Sequence, residues 1–283
     1  MIRQPRHGYC ATLLFTLLAV LPLIAKQADA QTDGTPPPPL NGIAHVAIRV
    51  HDLAASVAFY QKLGFEQAFD LRKNDVPYES FIKINDNQFI ELYPTTDRDP
   101  SAGFLHLCFE GVDLNAIHDS YVTHGLTPTA VRKAGAGNLL FTMAGPEQPS
   151  GPQNIEYTQY MPGSLHSNDQ GKHLGADRVA DKLIAVALAM KDPTAARDFY
   201  INQLLFKPIA GDPMDMHMPG ESGEEVEIVP AASLGTRARL TLQSANLSKA
   251  ARYLHKEGVD AVKNGESLTI KDPDGNVLLL EHR

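Results

Sequence analysis

Apolar and polar residues alternate in short blocks along most of the chain, and stretches with helical spacing interrupt them. Side chains of a strand change sides at every residue. The first block, residues 42–50, therefore puts Val46, Ile48 and Val50 on one face and His45, Ala47 and Arg49 on the other. Asp52 then opens a segment in which Leu53, Val57, Tyr60 and Leu63 form one helical stripe, and Gly64 closes it. This predicts a helix over 52–63 with Asp52 as its N-cap. Strand patterning resumes over 66–72, 79–85 and 87–94, with Asn85-Asp86-Asn87 as a hairpin turn. The predicted order is βαβββ.

The same unit returns. His45 and His106, Asp52 and Asp113, Tyr60 and Tyr121, and Gly64 and Gly125 are each 61 positions apart. Shared landmarks at one offset indicate a duplicated supersecondary unit. In the second copy the pattern predicts a strand over 103–110, a helix over 113–124 and strands near 128–133, 137–144 and 153–160, with 145–152 as a turn or loop. A third copy has a strand at 182–190, a helix from Asp192 with Pro193 at its first position, an irregular mobile loop over 211–224 and a strand at 225–229. The fourth has a strand at 237–243, a helix at 246–257 and strands near 259–263, 266–271 and 276–281. Residues 161–180 are rich in Gly, Ser, Asn and Asp and read as a linker.

Candidate chemistry gathers in the first two copies. His45 and His106 occupy corresponding strand positions. In the last strands of the two units, Phe89, Glu91 and Tyr93 share one face, and Asn154, Glu156, Thr158 and Tyr160 share another. A structural sheet does not gather ionisable groups on one face unless that face lines water or a ligand. If the units join edge to edge, His45, His106, Glu156 and Glu91 converge on one concave cup and make a divalent metal site of N and O ligands. Three ligands give the two-His-one-carboxylate arrangement; four suit a zinc- or nickel-like ion. Glu91 has three readings: ligand, catalytic base or solvated strand residue. Arg49 is either an anion clamp for substrate or the counter-charge of Glu110, and Cys108 is a small buried residue. The other histidines, His166 among them, fall on predicted surfaces or loops and are assigned nothing. In the second half the corresponding positions are Ala185, Glu227, Arg239 and Leu279, which make a structural partner or an anion-binding cup.

Arg3, Arg6 and His7, the apolar run from Ala11 to Ala25 and Ala28-Asp29-Ala30 read as a signal peptide over residues 1–30. This predicts a periplasmic or secreted protein with no membrane contact once the signal is removed. Residues 31–41 are a Pro-rich lead-in, 42–162 a first domain carrying the site, 163–181 a linker and 182–283 a second domain. Cys108 is the single cysteine left after cleavage, so no internal disulfide forms. The net charge of −8, without basic runs, argues against a nucleic-acid partner.

The segment HVAIRVHDLAASVAFYQKLGFE, from His45 to Glu66, and DPDGN, from Asp272 to Asn276, resemble the vicinal oxygen chelate superfamily over about residues 42–283. That family includes glyoxalase I, extradiol dioxygenases and resistance proteins. The resemblance implies an α+β fold of four βαβββ modules paired into two domains with cup-shaped mixed sheets. His45, His106 and Glu156 match the family's metal positions, and Glu91 the fourth ligand of glyoxalase I-like members. Arg49 resembles an arginine that contacts substrate there. The implied cofactor is a divalent ion: zinc, nickel, iron(II) or manganese. The implied partner is a small molecule that chelates it through adjacent oxygens, on a chain that is a monomer or homodimer. Lyase or isomerase chemistry is expected, with Glu91 or Glu156 moving the proton. The alternatives are an iron dioxygenase and a metal-free binding protein. Extradiol enzymes place their metal in the second half and carry an extra His before the last strand, whereas residues 135–142 hold none.

Overall fold

The computed structural model describes residues 39–282 and Met1. Residues 2–30 of the expected signal peptide and most of the Pro-rich lead-in lie outside the described residues.

Four βαβββ modules follow one another. The first comprises β1 (Leu40–Val50), α1 (Leu53–Lys62), β2 (Glu66–Lys73), β3 (Val76–Lys83) and β4 (Phe89–Pro94). The second comprises β5 (Gly103–Gly111), α2 (Leu114–Thr123), β6 (Arg132–Lys133), β7 (Leu139–Gln148) and β8 (Gly151–Gln159). A short helix, α3 (Leu165–Asn168), precedes the third: β9 (Lys182–Met190), α4 (Pro193–Asn202), β10 (Lys207–Ile209), β11 (Asp212–His217) and β12 (Glu225–Pro230). After α5 (Ala231–Leu234) come β13 (Arg239–Gln243), α6 (Leu247–Lys256), β14 (Ala261–Asn264), β15 (Ser267–Lys271) and β16 (Val277–Glu281). Each module helix starts by the same device. The side chains of Asp52, Asp113, Asp192 and Asn246 accept from the backbone N–H three residues on, at 2.8–3.0 Å, which satisfies a donor the helix itself leaves unpaired.

The modules pair into two eight-stranded mixed sheets, ordered β2-β3-β4-β1-β5-β8-β7-β6 and β10-β11-β12-β9-β13-β16-β15-β14. In each, the first strands of two modules meet antiparallel at the centre and are flanked by parallel partners. The fold class expected from the sequence is thus present. One face of each sheet is apolar and helix-covered. Val46, Ile48, Val50, Leu107 and Phe109 are buried there, in one cluster that continues through Leu188, Tyr200 and Phe206 of the other half. The Phe109 and Phe206 rings lie 5.5 Å apart.

Several expected boundaries are corrected. Residues 145–152 are mostly strand: Glu147 pairs with Pro152 and Gln148 with Gly151, so only Pro149 and Ser150 turn. A register shift between Ala144 and Glu147 absorbs Gly145 and Pro146, as a bulge does. Residues 211–224 are not one irregular loop, because β11 pairs on both sides. The strand signal was the alternation of Met214, Met216 and Met218, the last two buried, within a Pro- and Asp-rich stretch. The strand expected over 128–133 shrinks to Arg132–Lys133; Pro128 has no N–H to donate.

The halves are joined by polar contacts as well as by the core. The Gln88 side chain pairs with the backbone of Leu183, donating to its carbonyl at 2.9 Å and accepting from its N–H at 2.8 Å. The buried Glu224 carboxylate accepts from the Ile43 N–H and from Gln88 at 3.0 Å, with Lys182 at 3.5 Å. Burial pushes Glu224 up to about 7, above the ordinary carboxylate range. Between about pH 4.5 and 7 the folded chain therefore holds a proton that the unfolded chain has released, so stability declines as pH rises through 7. Glu224→Gln is expected to remove up to about 3 kcal/mol of that decline. Urea unfolding from pH 5 to pH 8 measures this, and an unchanged decline in the variant would refute it.

Candidate metal centre

Four adjacent strands carry the donors. Antiparallel pairing sets Ala47 opposite His106 and His45 opposite Cys108. Parallel pairing sets Glu91 beside Ala47 and Glu156 beside Cys108. Cross-strand neighbours point to the same side of a sheet, so His45, Glu91, His106 and Glu156 share the concave face. The small Ala47 and Cys108 lie between them and leave the space the long side chains converge into.

His45 Nε2 lies 3.0 Å from His106 Nε2 and 3.4 Å from Glu156 Oε1. These three residues form the one group of potential metal ligands found among the described residues. Ligands about 2.1 Å from a common ion stand about 3.0 to 3.4 Å apart around it, so the spacing fits a divalent cation. The chemistry fits too. Burial holds the His106 imidazole down at about 4, neutral at pH 7 with a lone pair to give. Burial opposes ionisation of Glu156, but His106 and His45 beside it outweigh that and hold it at about 2. His45 Nδ1 is buried without a hydrogen-bond partner, although Glu91 Oε1 stands 3.1 Å away outside bonding alignment.

Glu91 lies beside this group rather than within it: its second oxygen is 3.9 Å from His106 Nε2. It is 4 % exposed, which excludes the solvated reading. Tyr93 Oη lies 2.6 Å from Glu79 Oε1 and 3.2 Å from Glu91 Oε2. Burial, and then the charges of Glu79 and Glu156, raise Glu91 well above the usual carboxylate range; burial raises Glu79 as well. Glu79 and Tyr93 had no role in the sequence reading. Glu79 lies across the β3–β4 hairpin from Tyr93, two residues from the Phe81–Glu91 pair, so it could be found only once the strand register was known.

Arg49 does not serve Glu110. It stands opposite Gly103 while Glu110 stands opposite Gly42, at the other end of the antiparallel pair. Its partner is Asp99 at 3.6 Å, and it is not among the described residues that line the cavity over the donors. Cys108 is a free, fully buried thiol that burial pushes up, as a packing residue should be.

That cavity encloses about 220 Å³ and includes His45, Glu156, Phe81, Arg132, Asn138 and His166 in its wall. His166, expected on a loop surface, is 3 % exposed. It comes from α3, inside the segment read as a linker. Ser164 caps α3, accepting from the Ser167 N–H at 3.2 Å; a cap residue in the linker was the one sequence signal for it. The helix is pinned by Lys83, a fully buried lysine whose ammonium donates to the Asp169 carbonyl at 2.6 Å and carboxylate at 2.8 Å and meets Asp86 at 2.8 Å.

The second sheet carries no comparable set. Ala185 and Arg239 stand where the histidines would be, and Arg239 is paired with Glu227. The cation that would make this an anion cup is thus already matched.

Residues 42–154 match the family model of the Glyoxalase/Bleomycin resistance protein/Dioxygenase superfamily. Among solved structures, the chain is similar to the Mn(II)-bound glyoxalase from Novosphingobium aromaticivorans, at 15 % identity and TM-score 0.62, over 86 % of this chain and 82 % of that one. It is similar to the 2,3-dioxygenase LapB from Pseudomonas sp. KL28, at 15 % identity and TM-score 0.58, over 87 % and 93 %. It is also similar to an extradiol ring-cleaving dioxygenase from B. fuscum, at 16 % identity and TM-score 0.63, over 89 % and 74 %. At these identities the likeness is one of fold. No curated protein sequence matches the chain.

Lys83→Met removes a buried cation and leaves the buried Asp169 carboxylate with His173, 2.5 Å away, as its remaining side-chain partner. Breaking a buried pair from one side costs about 3 kcal/mol. Chemical denaturation is expected to show a loss of that order, and a loss below about 1 kcal/mol would mean that α3 is not held by this contact.

Proposed function

We propose that the first sheet houses a metal-dependent enzyme site of the vicinal oxygen chelate type, held by His45, His106 and Glu156. The bound ion would act as a Lewis acid on a small substrate gripped through two adjacent oxygens. Lyase or isomerase chemistry of the glyoxalase kind is the favoured reaction. The observation that carries it is the Glu91–Tyr93–Glu79 chain beside the imidazoles, because a carboxyl raised by burial is a stronger base than an ordinary carboxylate and can exchange a proton with its neighbours. Tyr93 shares its hydroxyl between the two carboxyls and links them, so a proton taken at Glu91 has a route to Glu79. A second reading, oxygen-dependent ring cleavage at iron(II), is favoured by the ligand group itself, two histidines and one carboxylate with open positions. The basic and apolar start of the sequence supports export to the periplasm or beyond. Two modules in one chain supply the sheet pairing within it, which supports a self-sufficient monomer.

Elemental analysis of exported protein, purified without chelator, is expected to find about one metal per chain, and less than about a tenth of that in the His45→Ala/His106→Ala variant. Zinc, nickel or manganese supports lyase or isomerase chemistry; stoichiometric iron with oxygen uptake on a catechol supports the second reading. Since ligands must be deprotonated, metal is expected to be lost as the pH falls and to be fully released below pH 4, where His106 also takes up a proton. Full occupancy in the double variant would overturn the proposal.

A further inference from the structure

Among the described residues that line the metal cavity, Arg132 is the one that carries a fixed positive charge. Its side chain is exposed and makes no hydrogen bond or ion pair with any described residue. Three carboxyls share the same wall, Glu79, Glu91 and Glu156. A guanidinium within reach of a carboxylate pairs with it strongly, so something in the fold keeps these groups apart.

Strand placement does so. Glu156 faces the cup from β8, and Thr158, two residues on, faces it too. Thr158 pairs with Leu140 on β7, and Leu140 pairs with Arg132 on β6. Cross-strand partners share a face, so Arg132 is turned to the concave side and its neighbour Lys133 to the other. Two strand spacings and two residues separate the backbones of Arg132 and Glu156, about 12 Å along the sheet. Glu110, the next residue of the Arg132 row, stands beyond Thr158 and is three strand spacings away. The Thr158 hydroxyl between them is spent on the Leu139 carbonyl at 3.0 Å. The guanidinium therefore shares a cavity with the metal donors while no acceptor of the protein reaches it.

The surroundings favour a ligand over solvent as its partner. A charge on an edge strand commonly protects the open edge, and Lys133 meets that need from the opposite face. The backbone beneath Arg132 is held: β6 pairs with β7, and the Ala134 N–H donates to the Asn138 carbonyl at 2.7 Å. Leu140 is buried between Arg132 and Thr158, and Leu71 and Tyr78 also line the cavity. The turn after β6 lies close against that hairpin, since a Cβ on Gly135 would stand 3.0 Å from Leu71 Cδ1. An ion pair formed along such an apolar wall is screened less than one in open water. The planar fork of an arginine matches a carboxylate with two parallel hydrogen bonds. A single cation, with no second one in the wall, suits a singly charged carboxylate better than a phosphate.

We infer that Arg132 is the substrate's anion clamp, the role that Arg49 does not fill, and that the substrate is a small carboxylic acid: two adjacent oxygens grip the metal at one end, and a carboxylate meets the guanidinium at the other. The inference rests on the proposed metal site and narrows its substrate class.

The test uses the Mn(II)-loaded protein and hydroxamates, which chelate metals through two adjacent oxygens. The monohydroxamates of malonic, succinic and glutaric acid carry a carboxylate at increasing reach, and each is compared with its primary amide, neutral and of the same length. Isothermal titration is expected to show at least one acid binding about tenfold more tightly than its amide. In Arg132→Gln that preference falls to within about twofold, while amide affinity and bound Mn(II) stay unchanged. Lys133→Gln removes the same charge one residue away on the other face and keeps the preference. The inference is overturned if no acid is preferred by the parent protein, if the preference survives Arg132→Gln, or if Lys133→Gln abolishes it equally, which would make it an effect of overall surface charge. If neither acids nor amides bind the Mn(II)-loaded parent, the chelation reading itself fails, and the inference with it.

Discussion

The antiparallel contact between β1 and β5 decides where every donor atom of the site lies. His45 and His106 sit near the middle of these strands, two register steps apart, and β4 and β8 bring Glu91 and Glu156 to the same two rows. Side chains alternate with a period of two, so a slip of one residue between β1 and β5 would turn one of the two imidazoles into the apolar, helix-covered core. The core forbids that slip. Val46, Ile48, Leu107 and Phe109 are buried beneath the helices, and moving them to the cup would expose them while burying charges. The hydrophobic face thus fixes the register, and the register fixes the site. Register shifts between Ile43 and His45 and between Ala47 and Ile48 bracket the active stretch of β1, and such irregularities re-aim side chains next to functional centres.

The same burial sets the electrostatics. Glu79, Glu91 and Glu156 stand near two imidazoles in a cavity that the protein largely closes. Desolvation alone would protonate all three carboxyls. It prevails for Glu91 and Glu79, which share the Tyr93 hydroxyl, and it loses for Glu156, which faces both histidine rings. One cluster therefore offers two kinds of group: an ionised carboxylate beside a neutral imidazole, suited to a cation, and raised carboxyls suited to proton transfer. Their separation follows from strand placement, with Glu156 on β8 facing the imidazoles and Glu79 on β3 behind Tyr93.

Much of this was legible in the sequence because it depends on periodicity. The repeat at 61 residues, the helix caps and the alternation that sets His45 apart from Val46 are local signals, and they gave the modules, the sheet pairing and the four converging side chains. What escaped depends on distance across the fold. Glu79 is one polar residue in a strand until the hairpin brings it to Tyr93. His166 lies in a segment whose Gly, Ser and Asn content reads as linker, and its burial comes from three phenylalanines on β2, β3 and β4 together with the Lys83 anchor. The β11 strand was hidden for the opposite reason: Pro and Asp suggested a loop, while the alternating methionines that bury it were too few to outweigh them.

The two halves separate what the fold requires from what the site requires. All four modules keep an N-cap residue before the helix and an apolar face beneath it, because the cap satisfies a helix donor and the apolar face supplies the core. The polar face answers to no such demand. In the second sheet it holds three buried alanines along β9 and an Arg239–Glu227 pair, which neutralises itself. A cup lined this way needs no cation to balance it, although burial and Glu227 push Asp215 there up to about 6. The second half shares one apolar cluster with the first and reaches it through Gln88 and Glu224, on the side of β1 away from Arg49. Its contribution to the site is therefore to hold the strand that carries His45, which requires packing and register but no chemistry of its own.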